Sequence, residues 1–301
     1  MKVVYLIFLI IASLILLGLF LYLIIGYLYY KNFFTKKGKI KKGLERQFST
    51  EENDLNYLQS MEKITLNLKD DLKLEGFYRN DENSKLVVII NSYLQTKDQI
   101  SSFGKIFQSL GFDQLLIDIQ TLEDYEQTNL DQYYIHCLEL WIEKAISLKN
   151  YCEIILFGLG TGGAISSFLS KSNLWVIKAI ICDSCFDNAL KQISYINSKK
   201  KIKSKLFFKI FLNYMKKNKN INLKNIDICE NFKKSKIPVL ILHGENDSIT
   251  PVEMAYNLYA SLPENLRQIN VFKNAGHLES LLSDKLLYKS EIKKFLIKYN
   301  L

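Results

Sequence analysis

The sequence predicts an α/β protein with a doubly wound, mostly parallel β-sheet, a helical cap insertion and one transmembrane helix ahead of the sheet. Three observations predict this fold class. Short apolar runs alternate with helical patterns from Ile64 onward, which is typical of a parallel sheet with helices on both faces. One long basic stretch interrupts this alternation, and an uncharged apolar run precedes it. With 301 residues, 48% of them hydrophobic, the chain is long enough for one sizeable core.

The uncharged run covers residues 3–30 and is longer than the roughly 20 residues that a helix needs to cross a bilayer. We therefore expect a single transmembrane anchor over residues 1–30. A cleaved signal peptide is the alternative, but its apolar part has only about 7–15 residues and ends in an Ala-x-Ala site, which this sequence lacks. Lys2 precedes the run and six lysines follow it within residues 31–42, so the lysine excess predicts a cytoplasmic globular domain at the cell membrane.

Five cysteines make an odd count, and most lie in or beside apolar runs, where cysteine acts as a small buried hydrophobe. This pattern predicts a reducing compartment. Cys182-x-x-Cys185 has the spacing of a redox or metal-binding pair, but the sequence contains no second pair of this kind and no thioredoxin-like context. We expect no cofactor and no metal ion.

The formal net charge of +9 indicates an anionic partner. The lysines concentrate beside the apolar run and in residues 199–219, so a membrane surface with anionic lipid accounts for the charge. Nucleic acid is the other candidate, but no nucleic-acid-binding motif is found. We therefore expect membrane lipid as a partner and no nucleic acid.

Each element of the globular domain follows from its local pattern. Residues 31–60 are polar and lysine-rich, then acidic, which predicts a juxtamembrane linker, and residues 61–301 form the predicted domain. Residues 63–79 alternate on either side of Asp70-Asp71 and predict an N-terminal β-hairpin. Buried strands are expected at residues 85–90, 114–119, 153–157, 176–182, 238–242 and 268–272. Helices are expected at residues 103–110, 131–149 and 282–298.

The basic stretch lies in an insertion of about residues 188–232, between two of the buried strands. Its residues 199–219 carry lysines at both ends and an apolar face with helical spacing, which predicts an amphipathic helix. The helix either packs over the sheet as a cap, or does so and also contacts the membrane surface. The residues of the predicted face are Ile202, Leu206, Phe207, Ile210, Phe211 and Tyr214.

Ligands of doubly wound sheets bind beyond the carboxyl ends of the strands, so we examined the turns there. The turn "FGLGTGGA" at residues 157–164 joins a buried strand to a helix through four glycines. Gly158, Gly160 and Gly163 satisfy the G-x-G-x-x-G spacing of a phosphate cradle, and Asp183 follows near the expected distance. That motif belongs on the first strand of a nucleotide-binding unit, however, and the later turns indicate different chemistry.

Two later turns read "LHGENDSITP" at residues 242–251 and "NAGHLES" at residues 274–280. With them, nearly all of residues 61–301 resembles the α/β-hydrolase family, in particular its membrane-anchored bacterial esterase and serine-aminopeptidase-like members. The resemblance implies that Asp247 is the acid of a catalytic triad and His277 its base, and their order along the chain agrees with that of this fold. His136 and His243 are expected to be structural.

The family's nucleophile elbow has the pattern G-x-S-x-G, and alignment on Gly158 and Gly162 puts Gly160 at the serine position. Glycine has no nucleophilic side chain. The resemblance also implies oxyanion-hole positions at Thr161 and Tyr93. Thr161 carries a hydroxyl, but the side chain after the nucleophile is expected to point away from the histidine.

Other parts of the hydrolytic apparatus differ from the family pattern as well. Asn91-Ser92 stands where the family has His-Gly, and "QTLEDYE" at residues 120–126 stands where it typically has Arg-Gly-His-Gly. Three functions therefore remain open. The protein is a pseudo-hydrolase that binds a small molecule or a protein partner, an esterase that uses Asp247 and His277 with water, or a lipid-surface interaction protein.

Overall fold

The computed structural model describes residues 2–34, 57–67, 73–91, 97–117, 130–199, 204–218 and 221–301. A long helix, α1 (Lys2–Phe34), precedes an α/β domain. The predicted linker, residues 31–60, lies largely outside the described residues. Packing of the domain begins at Tyr57, four residues before the predicted boundary, because Tyr57 and Leu58 are buried in the core.

The sheet has eight strands in the order β1-β2-β4-β3-β5-β6-β7-β8. Strands β3 to β8 are parallel, and β1 and β2 form the predicted antiparallel hairpin at one edge, where β2 pairs with β4. The doubly wound, mostly parallel sheet predicted from the apolar runs is confirmed. The strands are β1 (Glu62–Asn67), β2 (Lys73–Arg79), β3 (Lys85–Ile90), β4 (Asp113–Ile117), β5 (Glu153–Leu159), β6 (Ile177–Asp183), β7 (Val239–Gly244) and β8 (Arg267–Phe272).

Helices cover both faces of the sheet, and β3 shows why its sequence is apolar throughout. Leu86, Val88 and Ile90 pack into the cluster on one face, and Val87 and Ile89 pack into the cluster on the other. All five side chains are fully buried, as expected of a central parallel strand. The helices of the domain outside the insertion are α2 (Lys97–Gln108), α3 (Leu130–Leu148), α4 (Thr161–Ser167), α8 (Val252–Ser261), α9 (Ser280–Ser283) and α10 (Lys285–Lys298).

The predicted closing helix, residues 282–298, is two helices in the structure. α9 ends at Ser283 and α10 begins at Lys285. Asp284 lies between them in an extended conformation, and its carboxylate accepts a hydrogen bond of 2.8 Å from the Leu287 amide. Asp284 is thus the N-cap of α10, and this cap restarts the helix.

The two ends of the insertion between β6 and β7 meet, and its last helix packs into the core beside the sheet through Ile228 and Phe232. The insertion contains α5 (Ala189–Ser198), α6 (Lys205–Asn218) and α7 (Ile228–Phe232). The Asn188 side-chain amide donates to Asp227 at 3.0 Å, and the Ala189 amide donates to the Ile226 carbonyl at 3.0 Å. These bonds close the base of the cap.

Within the cap, α6 is the predicted amphipathic helix, but it is rotated relative to the predicted face. Ile210, Phe211 and Met215 are buried, whereas Leu206, which we expected on the buried face, is 63% exposed. The buried stripe is centred on Phe211, and at about 100° per residue Leu206 is turned well away from it. Ile202 lies outside the described residues.

The apolar side chains of α1 are mostly exposed, and Leu6 and Phe20 are 58% and 60% exposed. The helix is long and apolar enough to cross a membrane, and it continues past the uncharged run to Phe34. Only its last turns pack against the protein, where Tyr29 and Tyr30 contact the apolar cluster of the cap.

Candidate active site

The candidate site lies at the carboxyl edge of the parallel sheet, where the turns after β5, β6, β7 and β8 are neighbours. The turn after β7 carries Asp247, and the turn after β8 carries His277. The Asn246 amide donates to the Ala275 carbonyl at 2.9 Å, and the Glu245 amide donates to the Phe272 carbonyl at 2.9 Å. The two turns are therefore fixed to each other.

Asp247 and His277 form a buried acid–base pair. His277 Nδ1 lies 2.7 Å from Asp247 Oδ2, and both residues are less than a tenth exposed. Asp247 Oδ1 accepts hydrogen bonds from the amides of Ile249 and Thr250 at 2.8 and 2.7 Å. The carboxylate is held by its own turn and orients the imidazole. With Nδ1–H donated to Asp247, Nε2 is the ring nitrogen that can accept a proton.

His243 is bonded to the turn that carries Asp247. Its Nε2 donates to the Thr250 carbonyl at 2.8 Å, and the side chain is fully buried. Burial lowers the pKa of His243, so the ring is neutral near pH 7. His136, in contrast, is exposed on α3.

The turn between β5 and α4 is sharp, and its backbone has a positive φ at Gly160. Gly160 has φ +52° and ψ −110°, and its amide donates to the Asp183 carbonyl at 2.7 Å. A Cβ atom on Gly158 would lie 2.3 Å from the Gly163 nitrogen, and one on Gly162 would lie 2.2 Å from the Ile90 carbonyl oxygen. The outer glycines therefore let α4 pack directly against β3 and β5, and Gly160 adopts a backbone conformation that other residues rarely adopt.

A buried polar network links this turn to the histidine turn. Asp183, at the end of β6, accepts hydrogen bonds from the hydroxyls of Ser184, Ser280 and Tyr288 at 2.9, 3.2 and 2.9 Å. The Ser184 hydroxyl in turn accepts the Leu278 amide at 3.0 Å, directly beside His277. Burial raises the pKa of Asp183 to about 6, although the three hydroxyls oppose this shift.

Several solved structures superimpose on this chain. An esterase of Pyrococcus furiosus superimposes with a TM-score of 0.62 and 16% identity, covering 82% of this chain and 95% of its own. The esterase domain of a Rhodothermus marinus protein gives 0.58 and 13%, with 80% and 99% covered. A metagenomic α/β hydrolase from sediments of the Mar Chica lagoon gives 0.54 and 16%, with 78% and 99% covered.

This chain has the α/β-hydrolase fold. The resemblance drawn from "HGEND" and "NAGH" is confirmed at this level. No family model and no curated protein matches the sequence. At identities of 13–16%, the structural similarity establishes the fold but does not show that this chain shares the activity of these proteins.

In an α/β-hydrolase fold, the turn between β5 and α4 is the nucleophile elbow. Gly160 lies at its tip, and Thr161 begins α4 with a half-buried side chain. Asn91 is buried directly after β3, whereas Ser92, Tyr93 and the segment 120–126 lie outside the described residues. The roles implied for Gly160, Thr161, Tyr93, Asp247 and His277 stay predictions, and the structure brings the first two and the last two to one edge of the sheet.

Two acidic or hydroxyl residues near the elbow, Asp183 and Ser184, are already engaged in hydrogen bonds and are not available for other roles. Ser184 cannot replace a nucleophilic serine, because its buried hydroxyl donates to Asp183 and accepts from Leu278. Asp183 cannot serve a dinucleotide ribose, because its two oxygens are already bonded to the three hydroxyls. Asp183, the residue at the expected distance, is therefore not available as the ribose-binding carboxylate that the dinucleotide-binding motif requires.

The cysteine pair is buried beneath the elbow. Cys182 and Cys185 are fully buried, and burial raises the pKa of the Cys185 thiol well above its usual value. The thiol therefore stays protonated and unreactive. Within the part of the chain that the structure describes, no group of three or more His, Cys, Asp or Glu residues suits a metal ion.

Sequence reasoning missed the network around Asp183. Its members lie 105 positions apart, from Asp183 to Tyr288, and no local pattern connects them. The available signal was an acidic residue followed by serine directly after an apolar strand, at a position where the fold places its ligand edge.

The glycines of the elbow should differ in their effect on stability. We expect Gly162→Ala to lower the free energy of unfolding by more than about 2 kcal/mol, because the added methyl meets backbone atoms that cannot yield. Gly160→Ala should cost about 1–2 kcal/mol, because the positive φ of Gly160 strains any residue with a side chain. Denaturant unfolding of the detergent-solubilised full chain measures both, and equal costs would contradict the distinction between close packing and backbone strain.

The raised pKa of Asp183 predicts a pH-dependent stability. The folded state holds this proton up to about pH 6, whereas the unfolded state releases it near the ordinary carboxyl pKa of 3.8. The contribution is therefore complete below pH 3.8 and is lost as the pH rises through 6, by up to about 3 kcal/mol. Asp183→Asn removes the titration.

Urea midpoints of the full chain at several pH values between 4 and 7 test this expectation. The difference in unfolding free energy between Asp183→Asn and the natural protein should shift in favour of the variant as the pH rises. A difference that stays constant over this range would show that Asp183 remains ionised in the folded state.

Proposed function

We propose that this protein is a membrane-anchored pseudo-hydrolase, whose α/β-hydrolase domain binds a small molecule or a protein partner and forms no acyl-enzyme. One observation carries the proposal. Gly160 lies at the tip of a sharp elbow with φ +52°, while the Asp247–His277 pair is assembled at 2.7 Å. The elbow and the base are present, but the atom that would attack an ester carbonyl is absent. We therefore expect no covalent acyl-enzyme at this turn.

The surrounding sequence supports the same proposal. The family's oxyanion segment is replaced by Asn91-Ser92, and residues 120–126 contain no glycine. Stabilisation of a developing oxyanion by preorganised donors is commonly the largest contribution to such catalysis, so these changes act in the same direction as the loss of serine. A retained imidazole with a free Nε2 still provides a hydrogen-bonding group for a polar ligand.

We further propose that α1 anchors the domain on the cytoplasmic side of a membrane in a single pass. The exposed apolar side chains of α1 would be unfavourable in water, and the bilayer is the environment that accommodates them. The lysines of residues 31–42 support the cytoplasmic orientation.

A fluorophosphonate probe, which reacts with activated serines, tests the missing nucleophile. We expect no covalent labelling of the natural protein and labelling of Gly160→Ser, because the base and the elbow are in place. Removal of a triad serine typically lowers turnover by about 10⁶-fold, so the gain should be large.

Two variants control this experiment. Gly160→Ala brings the same backbone strain without a hydroxyl, and Gly160→Ser combined with His277→Ala retains the hydroxyl without the base. Neither should be labelled. Labelling of the natural protein at any residue of the site would contradict the pseudo-hydrolase.

The assembled acid–base pair favours one second function, an esterase in which His277 activates water directly. Residual catalysis of about 10³–10⁴ over the uncatalysed reaction survives without the nucleophile in serine hydrolases. Short-chain acyl esters incubated with the full chain and with His277→Ala distinguish the two functions. The pseudo-hydrolase predicts equal rates, and a rate that depends on His277 would instead establish the esterase.

A further inference from the structure

The uncharged run of α1 is longer than a bilayer core requires. Its 28 residues extend about 42 Å as a helix, whereas the hydrocarbon core of a bilayer is roughly 30 Å thick. About eight residues, or two turns, therefore have to be accommodated outside the core. The structure shows what contacts two turns at the carboxyl end of this run.

These turns pack against α6 of the cap. Gly26 is buried, and a Cβ atom on it would lie 2.8 Å from the Cβ of Tyr214. The Tyr29 ring lies 6.2 Å from that of Phe207 and 6.1 Å from that of Phe211, measured between centroids. The surplus end of α1 is thus in contact with the cap on one side, through Gly26 and Tyr29, while Tyr27 and Leu28 on its other side are 47% and 55% exposed.

This contact fixes the distance of the cap from the membrane. Packed helices lie about 8–10 Å apart, so α6 is one helix diameter from α1 at the point where α1 leaves the core. The headgroup layer extends roughly 5–8 Å beyond the core on each side. The side chains of α6 are therefore within reach of the lipid headgroups.

The exposed face of α6 has the composition of an interfacial helix. At about 100° per residue, six of its seven exposed side chains fall within an arc of about 120°, turned away from the buried stripe around Phe211, and the seventh, Asn218, is the last residue of the helix. Four of the six are lysines, and the apolar Leu206 is 63% exposed among them. The residues of this basic face are Lys205, Leu206, Lys209, Asn213, Lys216 and Lys217.

We propose that the basic face of α6 binds the headgroups of anionic phospholipids in the leaflet from which α1 emerges, and so holds the cap on the membrane surface. Lysines supply the charge that attracts phosphate, and Leu206 supplies an apolar side chain for the boundary beneath it. The proposal goes beyond the pseudo-hydrolase, because it requires α1 to cross the membrane but requires nothing of Gly160, Asp247 or His277.

A fluorescent probe on Leu206→Cys tests the contact in the full chain, reconstituted into vesicles whose lipids carry a quencher at the headgroup. Cys152 and Cys229 are replaced by serine in this sample, because Cys152 is exposed and Cys229 is half-buried, whereas the other three cysteines are buried. The control is a second sample, in which Leu206 is unchanged, Cys229 is replaced by serine and the probe is attached to Cys152. Cys152 precedes β5 at the opposite edge of the sheet from the elbow.

In vesicles of phosphatidylcholine with phosphatidylglycerol, we expect the probe at 206 to be quenched several-fold more than the probe at 152. Replacing all four lysines of the basic face by glutamine should reduce the quenching at 206 to the level at 152. The matched variant replaces four lysines of α10 by glutamine and should leave the quenching at 206 unchanged. These control positions are Lys285, Lys289, Lys293 and Lys298.

Three outcomes would overturn the proposal. These are equal quenching at 206 and 152, quenching at 206 that is as strong in pure phosphatidylcholine, and quenching that survives the four substitutions on α6. Carbonate extraction of each variant verifies that α1 is inserted, and extraction of the natural protein from the vesicles would also overturn the inference. None of these readouts depends on probe labelling or ester hydrolysis, so a failed pseudo-hydrolase and a failed lipid contact are distinguishable.

Discussion

The site depends on one constraint, the parallel pairing of β3, β5, β6, β7 and β8, which brings four turns to one edge of the sheet. Hydrogen bonds then connect these turns to one another. The Gly160 amide bonds to the Asp183 carbonyl, Ser184 bonds to the Leu278 amide, and Asn246 bonds to Ala275. The elbow, the acid and the base are parts of one bonded edge. A change in the backbone of any one turn is therefore expected to shift the turns that are bonded to it.

Gly160 affects both the backbone strain at this edge and the chemistry that the edge can perform. A serine at φ +52° would be strained, and hydrolases tolerate such strain because the exposed hydroxyl is needed for catalysis. A glycine adopts the same conformation freely. With glycine at position 160, the turn therefore keeps its geometry without this backbone strain. The assembled Asp247–His277 pair is consistent with such a relaxed scaffold.

Most of the fold could be predicted from the sequence, because a buried parallel strand such as β3 requires a continuous apolar run that is visible locally. The pair of Asp247 and His277 could be predicted because each follows such a run in a recognisable turn. Other features depend on contacts between distant segments. Tyr288 reaches Asp183 only when α10 packs on the sheet, and Leu206 is exposed because α6 rotates to place Phe211 against both the cap core and α1.

The contact between α1 and α6 has a mechanical consequence. The cap is joined to the rest of the domain where its chain ends meet at Asn188 and Asp227, and where the Gln192 side-chain amide donates to the Ile249 carbonyl at 2.9 Å. It contacts α1 at Gly26 and Tyr29. In most proteins with a lid, the body of the domain is the fixed frame and the lid swings. If α1 crosses the bilayer as we propose, the cap is held to the membrane through α1, and any change in the spacing between cap and sheet would move the sheet relative to the membrane.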